Sequence, residues 1–374
     1  MKCRVASLSL MLAATIAVLA GFAHAQEVPL GSPVGFIASS VNRVADGQYC
    51  VSGRSVDETA LTNTAWVALV DVSARKTVWK TSLPFKQPYV SNYAMYCVRT
   101  DDAYFVLTQE QTHTVASINQ TKVTLNKLGR DGKLLMRQPL SVGFDEWAYL
   151  LDINGDAITI AGGTSDELDR KGKLATYIAR FNGRLERTAL AVMPSGAFWT
   201  DTNAVIDVNQ LRVAGQFLPT KGGMSGGQNA FAVAKIDVDR QRYLFSTYVA
   251  PPDERARTSA FGPDGSTYYV ATTPTRLFVA VVSPVGKLVQ QFATQKIVCD
   301  LASIGVRDSK IDMIGTTCDK PRVSTLAEID LATQRAVLTR RIVGNISAAR
   351  FDGDTWAAVV DTGDRGIVLR HDAR

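Results

Sequence analysis

Two carboxylates flank tryptophans in this chain: Glu146 beside Trp147, and Asp201 two residues after Trp199. Paired carboxyl groups a few ångströms apart can act as acid and base across a glycosidic, ester or peptide bond. Aromatic faces with charges around them can instead hold a sugar ring or a peptide side chain, with polar groups fixing its orientation. Tyr93, Phe144 and Phe198 extend the aromatic set, and Asp145, Arg255 and Arg257 extend the charged one. Other chemistries are poorly supplied. The chain has 3 histidines, and His24 falls in the leader described below. His113 and His371 cannot make a multi-histidine metal site, and a serine–histidine or cysteine–histidine machine has little to work with. The glycine-rich "PTKGGMSGGQN" lacks the spacing of a phosphate loop and reads as a loop or lid. The acidic turns "TSDELDRKGK" and "DTGDRG" do not match calcium-loop spacing. No cofactor is evident, and calcium alone stays open.

The elements that must position these residues are β-hairpins. "AWVALVDVSARKTVWKTSL", from Ala65 to Leu83, alternates apolar and polar residues around a polar turn. Five further hairpins of this kind follow, with turns at Asp131-Gly132, Asn182-Gly183, Asp239-Arg240, Val285-Gly286 and Ala332–Arg335. Each is preceded by a second hairpin, turning at Asp46-Gly47, Asp101-Asp102, Asn154-Gly155, Val208-Asn209, Asp264-Gly265 and Asp308-Ser309. A last such turn lies at Asp352-Gly353. Asn-Gly and Asp-Gly favour two-residue turns, which need positive φ. The strands after these turns begin at Tyr49, Tyr104, Ile158, Leu211, Tyr268, Ile311 and Trp356.

A four-stranded unit repeating every 40–50 residues or so is a propeller blade. The expected fold is all-β: a propeller of seven four-stranded blades in a single domain over residues 26–374. The last unit shows three strands, so an N-terminal strand from "EVPLGSPVGFIASS" should supply its fourth. Asp71, Lys76 and Trp79 sit at the spacing of an A-x-D-x-x-T-G-K-x-x-W motif. This stretch resembles the blade motif of quinoprotein-like propellers, and the wider chain is similar in architecture to these and to lactonase-like bacterial propellers. Ala74 and Arg75 replace the motif's Thr-Gly, and the vicinal cysteine pair common in quinone-dependent dehydrogenases is missing. The resemblance therefore implies the fold and not the quinone chemistry.

Lys2 and Arg4, the apolar run Val5–Phe22 and the A-x-A site Ala23-His24-Ala25 form a secretory signal peptide over residues 1–25. Cleavage after Ala25 would leave a chain with no transmembrane segment, periplasmic or secreted. The net charge of +6 is too small to argue for nucleic acid. Cys50, Cys97, Cys299 and Cys318 allow three disulfide connectivities. Cys299 and Cys318 are symmetric about the Asp308-Ser309 turn and should face each other at a Cα separation of about 5.5 Å. Cys50 and Cys97 fall near the same end of adjacent blades, which makes Cys50–Cys97 the other pair.

Loops entering the innermost strands gather Tyr93, Glu146, Trp147, Trp199, Asp201, Arg255 and Arg257 at one mouth of the central channel. The tryptophans there either line a site or pack as core between blades. On the opposite face Lys76, Lys133, Arg184, Lys287 and Arg335 each follow a turn, which serves solubility first. Two functions remain. One is a binding or scaffold module for a small molecule, glycan or peptide, with a protein partner open as well. The other is a hydrolase or lyase acting on a polysaccharide, lactone or peptide through Glu146 and Asp201.

Overall fold

The computed structural model describes residues 25–57, 62–112, 120–166, 172–194, 196–199, 202–207, 209–219, 230–249, 254–363 and 365–374. The signal segment to residue 24, His113, Asp201 and nearly all of the glycine-rich loop lie outside the described residues. Among the described residues, no helix is long and apolar enough to cross a membrane.

The described secondary structure is all strand. β1 (Gln26–Pro29) is followed by a first meander of β2 (Phe36–Ala45), β3 (Gln48–Asp57), β4 (Thr62–Asp71) and β5 (Lys76–Leu83). The second holds β6 (Ser91–Arg99), β7 (Tyr104–Gln111), β8 (Thr121–Leu128) and β9 (Leu134–Pro139). The third holds β10 (Asp145–Asn154), β11 (Ala157–Ser165), β12 (Leu174–Phe181) and β13 (Arg187–Met193). A short β14 (Gly196–Phe198) leads to the fourth, β15 (Asn203–Asp207), β16 (Gln210–Pro219), β17 (Ala230–Asp237) and β18 (Arg242–Val249). The fifth is β19 (Ala256–Phe261), β20 (Thr267–Thr272), β21 (Arg276–Val282) and β22 (Leu288–Gln295). The sixth is β23 (Val298–Arg307), β24 (Lys310–Thr317), β25 (Ser324–Asp330) and β26 (Arg335–Ile342). β27 (Asn345–Asp352), β28 (Thr355–Asp361) and β29 (Ile367–Ala373) complete the chain.

Five sheets are four-stranded, and one of nine strands contains the third and fourth meanders. β14 joins those two, pairing parallel with β12 and antiparallel with β16. Phe198 lies in this bridging strand, fully buried, and β15 starts at Asn203. The first strands β2, β6, β10, β15, β19, β23 and β27 touch in that order, and β27 returns to β2. They therefore wall a closed central channel, the arrangement of a β-propeller.

The ring closes as the sequence implied. β1 pairs with β29, setting Gln26 opposite His371 and Val28 opposite Leu369. Val28 and Leu30 are fully buried among Phe36, Val51 and Val359. Glu27 accepts hydrogen bonds from Arg370 and from Arg365.

Core lies between meanders rather than within one. Phe105, Leu107 and Leu125 of the second pack on Ile158, Ile160 and Tyr177 of the third. A sheet covered on both faces needs continuous apolar strands, and β20 and β7 are buried almost throughout. The outermost strands, such as β22, alternate between exposed and half-buried residues. Trp79 shows how adjacent meanders lock. Its ring meets Tyr104 edge-on with centroids 5.0 Å apart. Gly132 stands against the same indole, where any Cβ would overlap it. The turn position filled by glycine in the blade motif is Arg75 here, and it keeps the left-handed backbone with φ 51°.

Both disulfides form as paired from the sequence: Cys50–Cys97 joins β3 to β6 across two meanders, and Cys299–Cys318 closes the mouth of the β23–β24 hairpin. The strand register around the second is not symmetric about the Asp308-Ser309 turn. Bulges between Val298 and Asp300 and between Leu301 and Ser303 shift the pairing, so Cys299 sits in a bulge beside the Val298–Thr317 pair. The Cα atoms are nevertheless 4.9 Å apart, within bridging reach.

Candidate functional site

A cavity of about 460 Å³ opens in the channel. Tyr93, Trp147, Trp199 and Arg257, four of the seven residues expected at the mouth, line it. They come from different elements: Tyr93 from β6, Trp147 from β10, Trp199 from the segment after β14, and Arg257 from β19.

The two tryptophans differ in kind. Trp147 is 3% exposed, and its indole N–H donates to the Phe198 carbonyl at 2.6 Å. Its own carbonyl accepts from the Tyr177 hydroxyl at 3.1 Å. Gly163 leaves the space its ring fills; a Cβ there would overlap the indole. Trp199 is half-buried and meets Trp147 edge-on, with centroids 5.0 Å apart and planes at 81°. Trp147 is thus a packed support, and Trp199 is held against it with part of its surface open. The core reading describes Trp147, whereas Trp199 keeps part of its ring surface uncovered.

Arg257 is ion-paired with Glu254, and the other Glu254 oxygen accepts from the Tyr269 hydroxyl. Tyr93 carries the Arg54 guanidinium over its ring at 5.8 Å. A positive group on an aromatic face is attracted by the ring quadrupole, here from the side of the neighbouring meander.

Glu146 does not join this group. It is fully buried, and its Oε1 accepts from the backbone of Val142 (2.7 Å) and Gly143 (3.1 Å) and from Lys122 Nζ (3.3 Å). Its Oε2 accepts from the Val123 backbone at 3.3 Å. Four donors saturate the carboxylate, which ties β10 to β8 and to the segment before β10. Asp145 is equally buried and accepts from the Thr121 backbone at 2.9 Å. Arg255 is exposed and is not among the lining residues. Lys296, which donates to the Thr273 carbonyl at 2.7 Å, has an ammonium pushed below the ordinary lysine range by burial and then by Arg255. Phe144 is 45% exposed and is not among the lining residues.

The structure adds residues that sequence reasoning passed over: Met95, Tyr96, Gln109, Tyr149, Asn203 and Thr258. Burial pushes the Tyr96 hydroxyl up to about 12, with Tyr93 adding to the shift. It therefore remains a hydrogen-bond donor at any ordinary pH. Asn203 donates to the Ser259 carbonyl at 2.8 Å, linking β15 to β19. The signal for these residues was strand alternation, but bulges interrupt it. β2, β6, β10, β23 and β27 each carry at least one, and Ser39, Met95, Tyr149, Ala302 and Ser347 are among the residues left unpaired with the second strand. All five line the channel cavities. A bulge re-aims side chains and shifts which face they occupy.

No protein family matches the chain, and no curated relative matches it. Solved structures do. Sqt1 of Saccharomyces cerevisiae matches with a TM-score of 0.50 and 10% identity, over 88% of this chain and 81% of that one. A europium-containing methanol dehydrogenase gives a TM-score of 0.47 and 9% identity, over 92% and 93%. A Synechocystis apocarotenoid oxygenase mutant gives 0.48 and 10%, over 70% of this chain and 63% of that one, so the chain spans less than two thirds of its length. The likeness is to propeller-like proteins, and at these identities it concerns the fold alone.

Proposed function

We propose that the chain is an exported β-propeller that binds a small molecule, glycan or peptide at the channel mouth. The observation that carries this reading is the cavity where Trp199, Tyr93 and Tyr96 meet Arg257, Gln109 and Asn203. Its size falls in the range of small-molecule sites, and it combines apolar rings with a few polar groups. Trp199 offers ring surface, and the polar set would orient a ligand against it. The buried Trp147 beneath would keep Trp199 in place, so little side-chain freedom is lost on binding. Export is supported by the signal-like N-terminus and by two disulfides, which persist in oxidising compartments. The saturated hydrogen bonding of Glu146 favours binding over a reaction that would use this carboxylate with Asp201.

The test is titration of glycan, peptide and small-molecule panels by tryptophan fluorescence, with Trp199→Ala and Trp147→Ala as variants. Trp199→Ala should lose binding while staying folded. Unchanged binding per folded molecule in Trp199→Ala would remove the site from the mouth.

A further inference from the structure

Below the mouth cavity lies a second of about 540 Å³, sharing Tyr96, Asn203, Thr258 and Ala302 with the first. Its chemistry is different. Ser40, Asn42, Ser303 and Ser347 contribute hydroxyl and amide groups, and Arg212 and Arg350 contribute charge. None of its described lining residues is Asp or Glu. Arg350 donates to the Asn42 side-chain oxygen at 3.0 Å, and Arg212 donates to the Gly265 carbonyl at 2.8 Å. Arg212 also lies over the Phe261 ring, 5.1 Å from its centroid. These partners are neutral, and neither arginine has a carboxylate within ion-pair distance among the described residues. Arg257 above, by contrast, is neutralised by Glu254.

The carboxylates on nearby turns are bonded to other groups. Asp352 pairs with Arg43 at 3.0 Å, and Asp264 accepts from the Ser266 backbone and hydroxyl at 3.0 and 2.7 Å. Arg212 is half-buried and Arg350 exposed, and together they bring two guanidinium groups with neutral hydrogen-bond partners to one cavity whose other polar lining groups are hydroxyls and amides. Each guanidinium carries five N–H donors in a planar fork suited to a carboxylate or phosphate.

We infer that the lower channel cavity binds a compact oxyanion, the phosphate or carboxylate group of a small molecule, between Arg212 and Arg350. Serine hydroxyls can turn to donate to the same oxygens. The inference is independent of what the mouth cavity binds.

Isothermal titration calorimetry at low ionic strength tests it, using inorganic phosphate and citrate as separate probes. Saturable one-to-one binding of at least one probe is expected, and which probe binds distinguishes phosphate from carboxylate recognition. Arg350→Gln and Arg212→Gln should each weaken it about tenfold or more, the scale of a lost charge-assisted contact. Arg341→Gln removes the same charge from an exposed position on the outermost strand β26 and should leave binding unchanged. Arg350→Lys, which keeps the charge but loses the fork, should fall between wild type and Arg350→Gln, and it stands in if Arg350→Gln fails to fold. Absence of saturable binding by either probe, or equal weakening by Arg341→Gln, would overturn the inference.

Discussion

The two halves of the channel are walled by the same ring of strands and lined by different chemistry. The upper half is ring surface on a rigid support: Trp199 rests on Trp147, which is fixed by Phe198, Tyr177 and the missing side chain at Gly163. Its one arginine among the lining residues is neutralised. The lower half is hydroxyls, amides and two arginines facing neutral partners. The upper half should depend on packing for its shape. The lower half should depend on charge for its affinity.

That contrast can be broken most forcefully at Trp147. Trp147→Ala removes a buried indole and should cost about 3–5 kcal/mol of stability, read by denaturant unfolding. A loss below about 1 kcal/mol would show that the upper half does not rest on this ring. Next in size is Gly163→Ala. Its methyl would enter space held by Trp147, an overpacking that should cost about 1–3 kcal/mol. In a Trp147→Ala background most of that cost should vanish, because the two sites share one volume; strict additivity would refute the contact. Trp199→Ala comes third. It forfeits one edge-on ring contact, worth about 0.5–1.5 kcal/mol beyond its buried area, so its stability loss should be well below that of Trp147→Ala.

The smallest effect sharpens the boundary between the halves. Tyr96 lines both, and its hydroxyl is raised to about 12. The unfolded chain ionises first, near pH 10, so the fold should lose stability as pH rises from about 10 to 12 and not below. Tyr149 and Tyr177 are shifted in the same direction by burial and contribute to the same slope. Tyr96→Phe should make that slope measurably shallower in urea midpoints compared at pH 9 and pH 11. An unchanged slope would mean that Tyr96 ionises freely in the folded channel.

Much of the architecture was legible because turn chemistry repeats. Gly47, Gly155, Gly265 and Gly353 each carry the positive φ that their Asp-Gly or Asn-Gly turns require. Those turns set where strands begin, and the three-strand remainder at the C-terminus implied closure by β1. The lining of the mouth cavity was legible only in part. Aromatic type near strand starts located Tyr93, Trp147 and Trp199, but composition cannot distinguish a carboxylate aimed at the channel from one bonded to backbone, and Glu146 is the latter. Burial of Trp147 against openness of Trp199 is likewise a property of neighbours distant in sequence. The channel's polar lining was hidden by the bulges, since one extra residue reverses the inward face of everything after it.

The most direct measurement is native mass spectrometry of the purified protein for small molecules and peptides it retains, comparing wild type with Trp199→Ala at matched folded concentration. A mouth site predicts a defined adduct on the wild-type chain that is lost or strongly reduced in Trp199→Ala. The same adduct carried equally by both would contradict it.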